Sequence, residues 1–128
     1  MRKALRWGLA SAMAVFLLAA PAGAKDGDVI REGACSGRTD WKLKLSPENG
    51  RIEVEFEVDQ SKNGRRWRVT LKREGNRIFR GIRRTQPPSG SFEVRRVAAN
   101  GPGADSFFAK ARNLRSGEFC RGRATFKR

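Results

Sequence analysis

The sequence predicts an all-β domain of about seven or eight short strands, and three features carry that expectation. Apolar and polar residues alternate with period two along most of the chain after residue 24, as in strands buried on one side only. Clusters of Gly, Pro, Asn and Ser that favour turns recur about every eight to twelve residues. No helical period of useful length appears after residue 24.

The first 24 residues are of another kind. Arg2, Lys3 and Arg6 make a basic start, 9–20 (LASAMAVFLLAA) is an apolar or small run, and Pro21-Ala22-Gly23-Ala24 ends it in an Ala-x-Ala arrangement. That order is the pattern of a secretory signal peptide, here cut before Lys25. The run holds 12 residues, whereas a spanning helix needs about 20, so no membrane span is expected in the mature chain. Residues 1–24 are read as a signal peptide and 25–128 as one secreted domain, extracellular or associated with the cell envelope.

Export decides how the two cysteines are read. Cys35 and Cys120 both lie in the exported part, and an oxidising compartment turns such a pair into a disulfide. The bond ties the start of the domain to its end, which suits a small domain with a modest core.

Taken in order, 41–45 (WKLKL) places Trp41, Leu43 and Leu45 on one face, and 46–50 reads as a turn. The cleanest strand is 51–58 (RIEVEFEV), with Ile52, Val54, Phe56 and Val58 inward and Glu53, Glu55 and Glu57 outward. A turn ending in Asn63-Gly64 leads to 66–71 (RWRVTL), with Trp67, Val69 and Leu71 inward. The segment 77–84 (RIFRGIRR) is a weaker strand whose inward face the pattern leaves open, and 85–90 (TQPPSG) breaks it. Phe92 and Val94 are the inward residues of 91–97. The segments 106–113 and 118–126 read as a terminal hairpin, in which Cys120, Gly122, Ala124 and Phe126 share a face. Phe107 and Phe108 are adjacent, so one of them must face out.

With the chain ends joined, the expected architecture is an immunoglobulin- or fibronectin-like sandwich. One hairpin is expected in register. A four-residue loop at 60–63 pairs Val54 with Val69 and Phe56 with Trp67 inside, and Glu57 with Arg66 and Glu55 with Arg68 outside. The acidic strand would then be neutralised by its basic neighbour.

Several segments carry a resemblance: Ala34-Cys35-Ser36-Gly37, Trp41-x-Leu43-x-Leu45, the run 51–56 (RIEVEF) and 117–126 (GEFCRGRATF). Together they resemble a group of small secreted actinobacterial proteins of unassigned function, over essentially the whole mature chain. The resemblance implies export and an immunoglobulin-like sandwich, and it assigns no functional residue.

Charge is the strongest compositional signal. The chain carries net +15, and losing the three basic residues of the signal segment leaves +12. Residues 25–59 hold six basic and nine acidic residues, while 60–128 hold nineteen basic and four acidic.

Enzymatic chemistry finds little to use. There is no histidine, so His-assisted nucleophilic catalysis and the usual zinc sites are missing. Glu53, Glu55 and Glu57 lie on an exposed face among basic residues, where carboxylates stay ionised and serve no acid role. Asp26 and Asp28 are too few for calcium. No catalytic residue, cofactor or metal is expected.

What remains is binding. Arg77, Arg80, Arg83 and Arg84, then Arg95 and Arg96, then Arg112, Arg115, Arg121 and Arg123 could build a surface for phosphates or sulfates. Two functions fit: a non-enzymatic secreted binding or structural module at or outside the cell envelope, and a cationic polyanion-binding protein. The partner would be an anionic envelope polymer, lipid or nucleic acid, or another envelope protein. The deciding question is whether the arginines share one face.

Overall fold

A computed structural model describes residues 25–127; the expected signal peptide, 1–24, lies outside the described residues. Eight strands follow one another: β1 (Val29–Ala34), β2 (Asp40–Glu48), β3 (Arg51–Asp59), β4 (Arg66–Arg73), β5 (Asn76–Arg84), β6 (Ser91–Ala98), β7 (Ala104–Asn113) and β8 (Phe119–Lys127). They form two antiparallel sheets, ordered β1-β2-β3-β6 and β5-β4-β7-β8. In an immunoglobulin-type sandwich, β2, β3 and β6 take the places of strands A, B and E, and β4, β7 and β8 those of C, F and G. Strand β5 lies beside β4, as in fibronectin-type domains, and β1 is an added edge.

The alternation explains the layering. Leu43 and Leu45 of β2, Ile52 to Val58 at even positions of β3, and Phe92 and Val94 of β6 are buried from one sheet. Trp67, Val69 and Leu71 of β4, Phe107, Ala109 and Ala111 of β7, and Cys120, Ala124 and Phe126 of β8 are buried from the other. Phe108 is the outward member of its pair. The run 77–84 resists assignment from sequence because a bulge breaks the β4–β5 register between Leu71 and Lys72 and shifts the alternation by one residue. Beyond it, Phe79, Gly81 and Arg83 lie opposite the inward residues of β4.

The expected β3–β4 hairpin does not form. Strand β3 pairs with β2 and β6 in one sheet, and β4 with β5 and β7 in the other. Val54 and Phe56 therefore meet Val69 and Trp67 within one core, across the sandwich instead of side by side. The outward pairs Glu57–Arg66 and Glu55–Arg68 are absent for the same reason. In their place Glu55 and Glu57 stand opposite Lys44 and Lys42 of β2, at 3.5 and 3.8 Å, and Glu53 bonds Arg95 of β6. A second correction is smaller: β2 continues through Ser46-Pro47-Glu48, so the turn is confined to Asn49 and Gly50.

The crossing from β3 to β4 is held by buried polar contacts. Thr85, 1% exposed, accepts from the Arg65 amide at 2.9 Å and donates to the Lys62 carbonyl at 2.5 Å. Trp67 Nε1 donates to Gln60 Oε1 at 3.0 Å. Gly90 accepts from the amides of Gln60 and Ser61. Its φ is 75°, and a Cβ at this position would lie 2.3 Å from the Lys62 nitrogen, so glycine alone fits.

The disulfide joins Cys35, just after β1, to Cys120 in β8. These are edge strands of different sheets, so the bond closes one side of the sandwich. Beside it, Glu118 accepts from the amides of Gly37 and Thr39 and from the Thr39 hydroxyl at 2.9–3.0 Å. The Trp41 indole fills the space between Gly33 of β1 and Gly122 of β8. Arg73 and the buried Asp105 form an ion pair at 2.5 Å near one end.

Candidate functional site: a cationic sheet face

The register of β5-β4-β7-β8 determines which side chains share its outer surface. Arg66, Arg68 and Lys72 of β4 point away from the core, since Trp67, Val69 and Leu71 point into it. Their neighbours follow: Arg84, Arg80 and Arg77 of β5, Arg112 and Lys110 of β7, and Arg121, Arg123 and Lys127 of β8. All eleven are exposed, and among the described residues no outward position within the four strands is acidic; at the rim lies the carboxylate of Glu74 in the β4–β5 turn, which accepts from the Ser106 amide.

Four pairs of these cations stand directly opposite each other: Arg66–Arg84, Lys72–Arg77, Arg68–Arg112 and Lys110–Arg121. Like charges in that position destabilise a sheet by a few tenths to about 1 kcal/mol a pair. Phe108 and Phe119 share the surface, with the Arg123 and Arg121 guanidiniums 5.3 and 4.9 Å from their ring centres. A depression of about 430 Å³ lies among Thr70, Lys72, Arg77, Arg80, Phe108 and Lys110. A cleft of about 600 Å³ at one end is lined by Lys62, Arg65, Arg66 and Arg115 and adjoins the face through Arg66.

Of the ten arginines singled out in the sequence, six share this face: Arg77, Arg80, Arg84, Arg112, Arg121 and Arg123. Arg115 sits in the β7–β8 turn and lines the end cleft. Arg83 turns to the seam between β5 and β6, where it and Arg96 of β6 flank the Phe79 ring at 4.9 and 4.3 Å. Arg95 belongs to the opposite sheet, bonded to Glu53. Five members of the face escape the sequence reading: Arg66, Arg68, Lys72, Lys110 and Lys127. For Arg66, Arg68 and Lys72 the signal is present in the alternation around Trp67, but the expected hairpin matches Arg66 and Arg68 with the acidic strand; for Lys110 and Lys127 it is present in the alternation of the terminal hairpin.

The outer face of β1-β2-β3-β6 is the electrostatic opposite. It carries Glu32, Asp40, Glu48, Glu53, Glu55, Glu57, Asp59 and Glu93 against Lys42, Lys44, Arg51 and Arg95. Glu93 faces Glu57 directly. Partial burial raises the Glu93 pKa above the usual carboxylate range, and the neighbouring Glu55 and Glu57 charges push it the same way, against a smaller opposing pull from Lys44. A carboxyl whose pKa is raised by folding favours the folded state when protonated, and that advantage is lost as pH rises through the folded value. Glu93→Gln should therefore stabilise the domain at neutral pH, by no more than about 0.5 kcal/mol after solvent screening. The gain should vanish at acid pH. Denaturant midpoints for the two proteins across that range check it, and an equal gain at all pH values would refute the charge explanation.

Among the described residues no group of His, Cys, Asp and Glu is arranged to hold a metal ion, and no helix is long and apolar enough to cross a membrane. No family model matches the chain, and no curated protein or solved structure matches it.

Proposed function

We propose that the chain is a non-enzymatic, exported polyanion-binding protein that engages its ligand with the outer face of β5-β4-β7-β8. The observation that carries this reading is the set of four like-charge cross-strand pairs on a face whose outward strand positions hold no carboxylate among the described residues. The opposite sheet, by contrast, offsets its like pairs Glu57–Glu93 and Asp40–Asp59 with ion pairs from Lys42, Lys44 and Arg95, and among the described residues the cationic face has no such offset within its strands. Local rules broken without compensation are expected where a surface serves a partner. The signal-peptide pattern and the disulfide agree with export, and the resemblance to small secreted actinobacterial proteins fits the same compartment.

Binding of this kind depends on release of counterions, so affinity falls linearly with salt on logarithmic axes, by roughly 0.7–0.9 per phosphate engaged. With eleven cations available, the oxidised domain should bind heparin with a slope steeper than about −4. Isothermal titrations at several salt concentrations measure it. Absence of binding at low salt, or a slope near zero, would sink the proposal.

A further inference from the structure

We infer that the polyanion is an anionic lipid surface, on which the domain lies with β5-β4-β7-β8 facing the headgroups. This rests on the polyanion-binding reading and goes further by choosing the partner. The first argument is dimensional. The cations occupy all four strands, about 14 Å from β5 to β8 at ordinary strand spacing, and on β4, β7 and β8 the pairs Arg66/Arg68, Lys110/Arg112 and Arg121/Arg123 are about 6.7 Å apart along the strand. A linear polymer lying across the sheet meets one line of such an array, whereas a leaflet meets all of it. The sheet is also twisted. Lipids diffuse laterally and can place headgroups under each guanidinium, which a chain of fixed repeat cannot do.

The second argument is independent of charge. Only three large apolar side chains are exposed among the described residues, and two of them, Ile82 (43%) and Phe119 (37%), are on this face. Both belong to one cross-strand row, Ile82–Arg68–Arg112–Phe119, so apolar groups flank a cationic pair at either border. Exposed apolar groups interleaved with arginines suit the boundary between headgroups and acyl chains, where long basic side chains keep their charges at the phosphates. The acidic outer face of the other sheet then points away from the membrane and sets the orientation.

Co-sedimentation with vesicles of phosphatidylcholine containing phosphatidylglycerol, against pure phosphatidylcholine, tests the inference, with heparin titration in parallel. The domain should bind the anionic vesicles only. Ile82→Ser with Phe119→Ser should weaken vesicle binding about tenfold, from the apolar area withdrawn, and change heparin affinity much less, since no charge is removed. Phe119→Trp should give an emission blue shift on anionic vesicles and none on heparin. Heparin binding without vesicle binding, or vesicle binding indifferent to the double substitution, overturns the membrane assignment and leaves the polyanion reading standing. Failure to bind either probe overturns both.

Discussion

Replacing both cysteines by alanine, Cys35→Ala with Cys120→Ala, should lower the stability of the domain by about 4 kcal/mol. The bridged positions are 85 apart in sequence, and closing a loop of that length removes about 4.5 kcal/mol of chain entropy from the unfolded state. Alanine is the right replacement because Cys120 is fully buried, and serine would add the cost of an unpaired hydroxyl. The released unfolded chain exposes more surface, so the denaturant slope should rise together with the fall in midpoint. Urea melts of the variant and of the oxidised and reduced wild type measure both. A loss below about 1 kcal/mol with an unchanged slope would mean that packing alone holds the β1–β8 side together.

Gly122→Val should cost about 3 kcal/mol, at the upper end for overpacking a core. A Cβ at position 122 would lie 2.5 Å from Trp41 Cζ3 and 2.9 Å from two further ring carbons. The indole cannot retreat far, because Gly33 already approaches its other edge, with a Cβ position 3.0 Å from Cζ2. Displacing the ring would open the seam beside the disulfide. Thermal melts give the loss, and a double-mutant cycle with Trp41→Leu isolates its cause: much of the penalty should disappear once the ring is gone. A penalty independent of residue 41 would place the strain in the β8 backbone.

The sequence makes the layering legible and leaves the neighbours open. Period two in RIEVEFEV and RWRVTL reveals which residues are inward, since each strand has one buried face. It carries no information on whether two inward faces lie side by side or look at each other across a core. Both arrangements bury Val54, Phe56, Trp67 and Val69, and both fit the same parity. A six-residue connection at 60–65 that crosses between the sheets uses the same kinds of residue as a hairpin loop. The deciding contacts, from Thr85 to the carbonyl of Lys62 and from Gly90 to Gln60 and Ser61, join residues too far apart for local pattern to reveal. The site is subject to the same ambiguity. Matching Arg66 and Arg68 with Glu57 and Glu55 hides the centre of the cationic face, while its borders on β5 and β8 remain visible as arginine-rich runs.

The facing cations also bear on when the domain is most rigid. With no anion present, Arg68 and Arg112, or Lys110 and Arg121, push apart the strands that their backbones hold together. A ligand that neutralises them binds the folded arrangement in preference to the unfolded chain and so adds to its stability; dissolved salt does part of the same by screening. If the face binds a polyanion as proposed, the ligand-bound domain should be more stable than the free one, and most so at low salt.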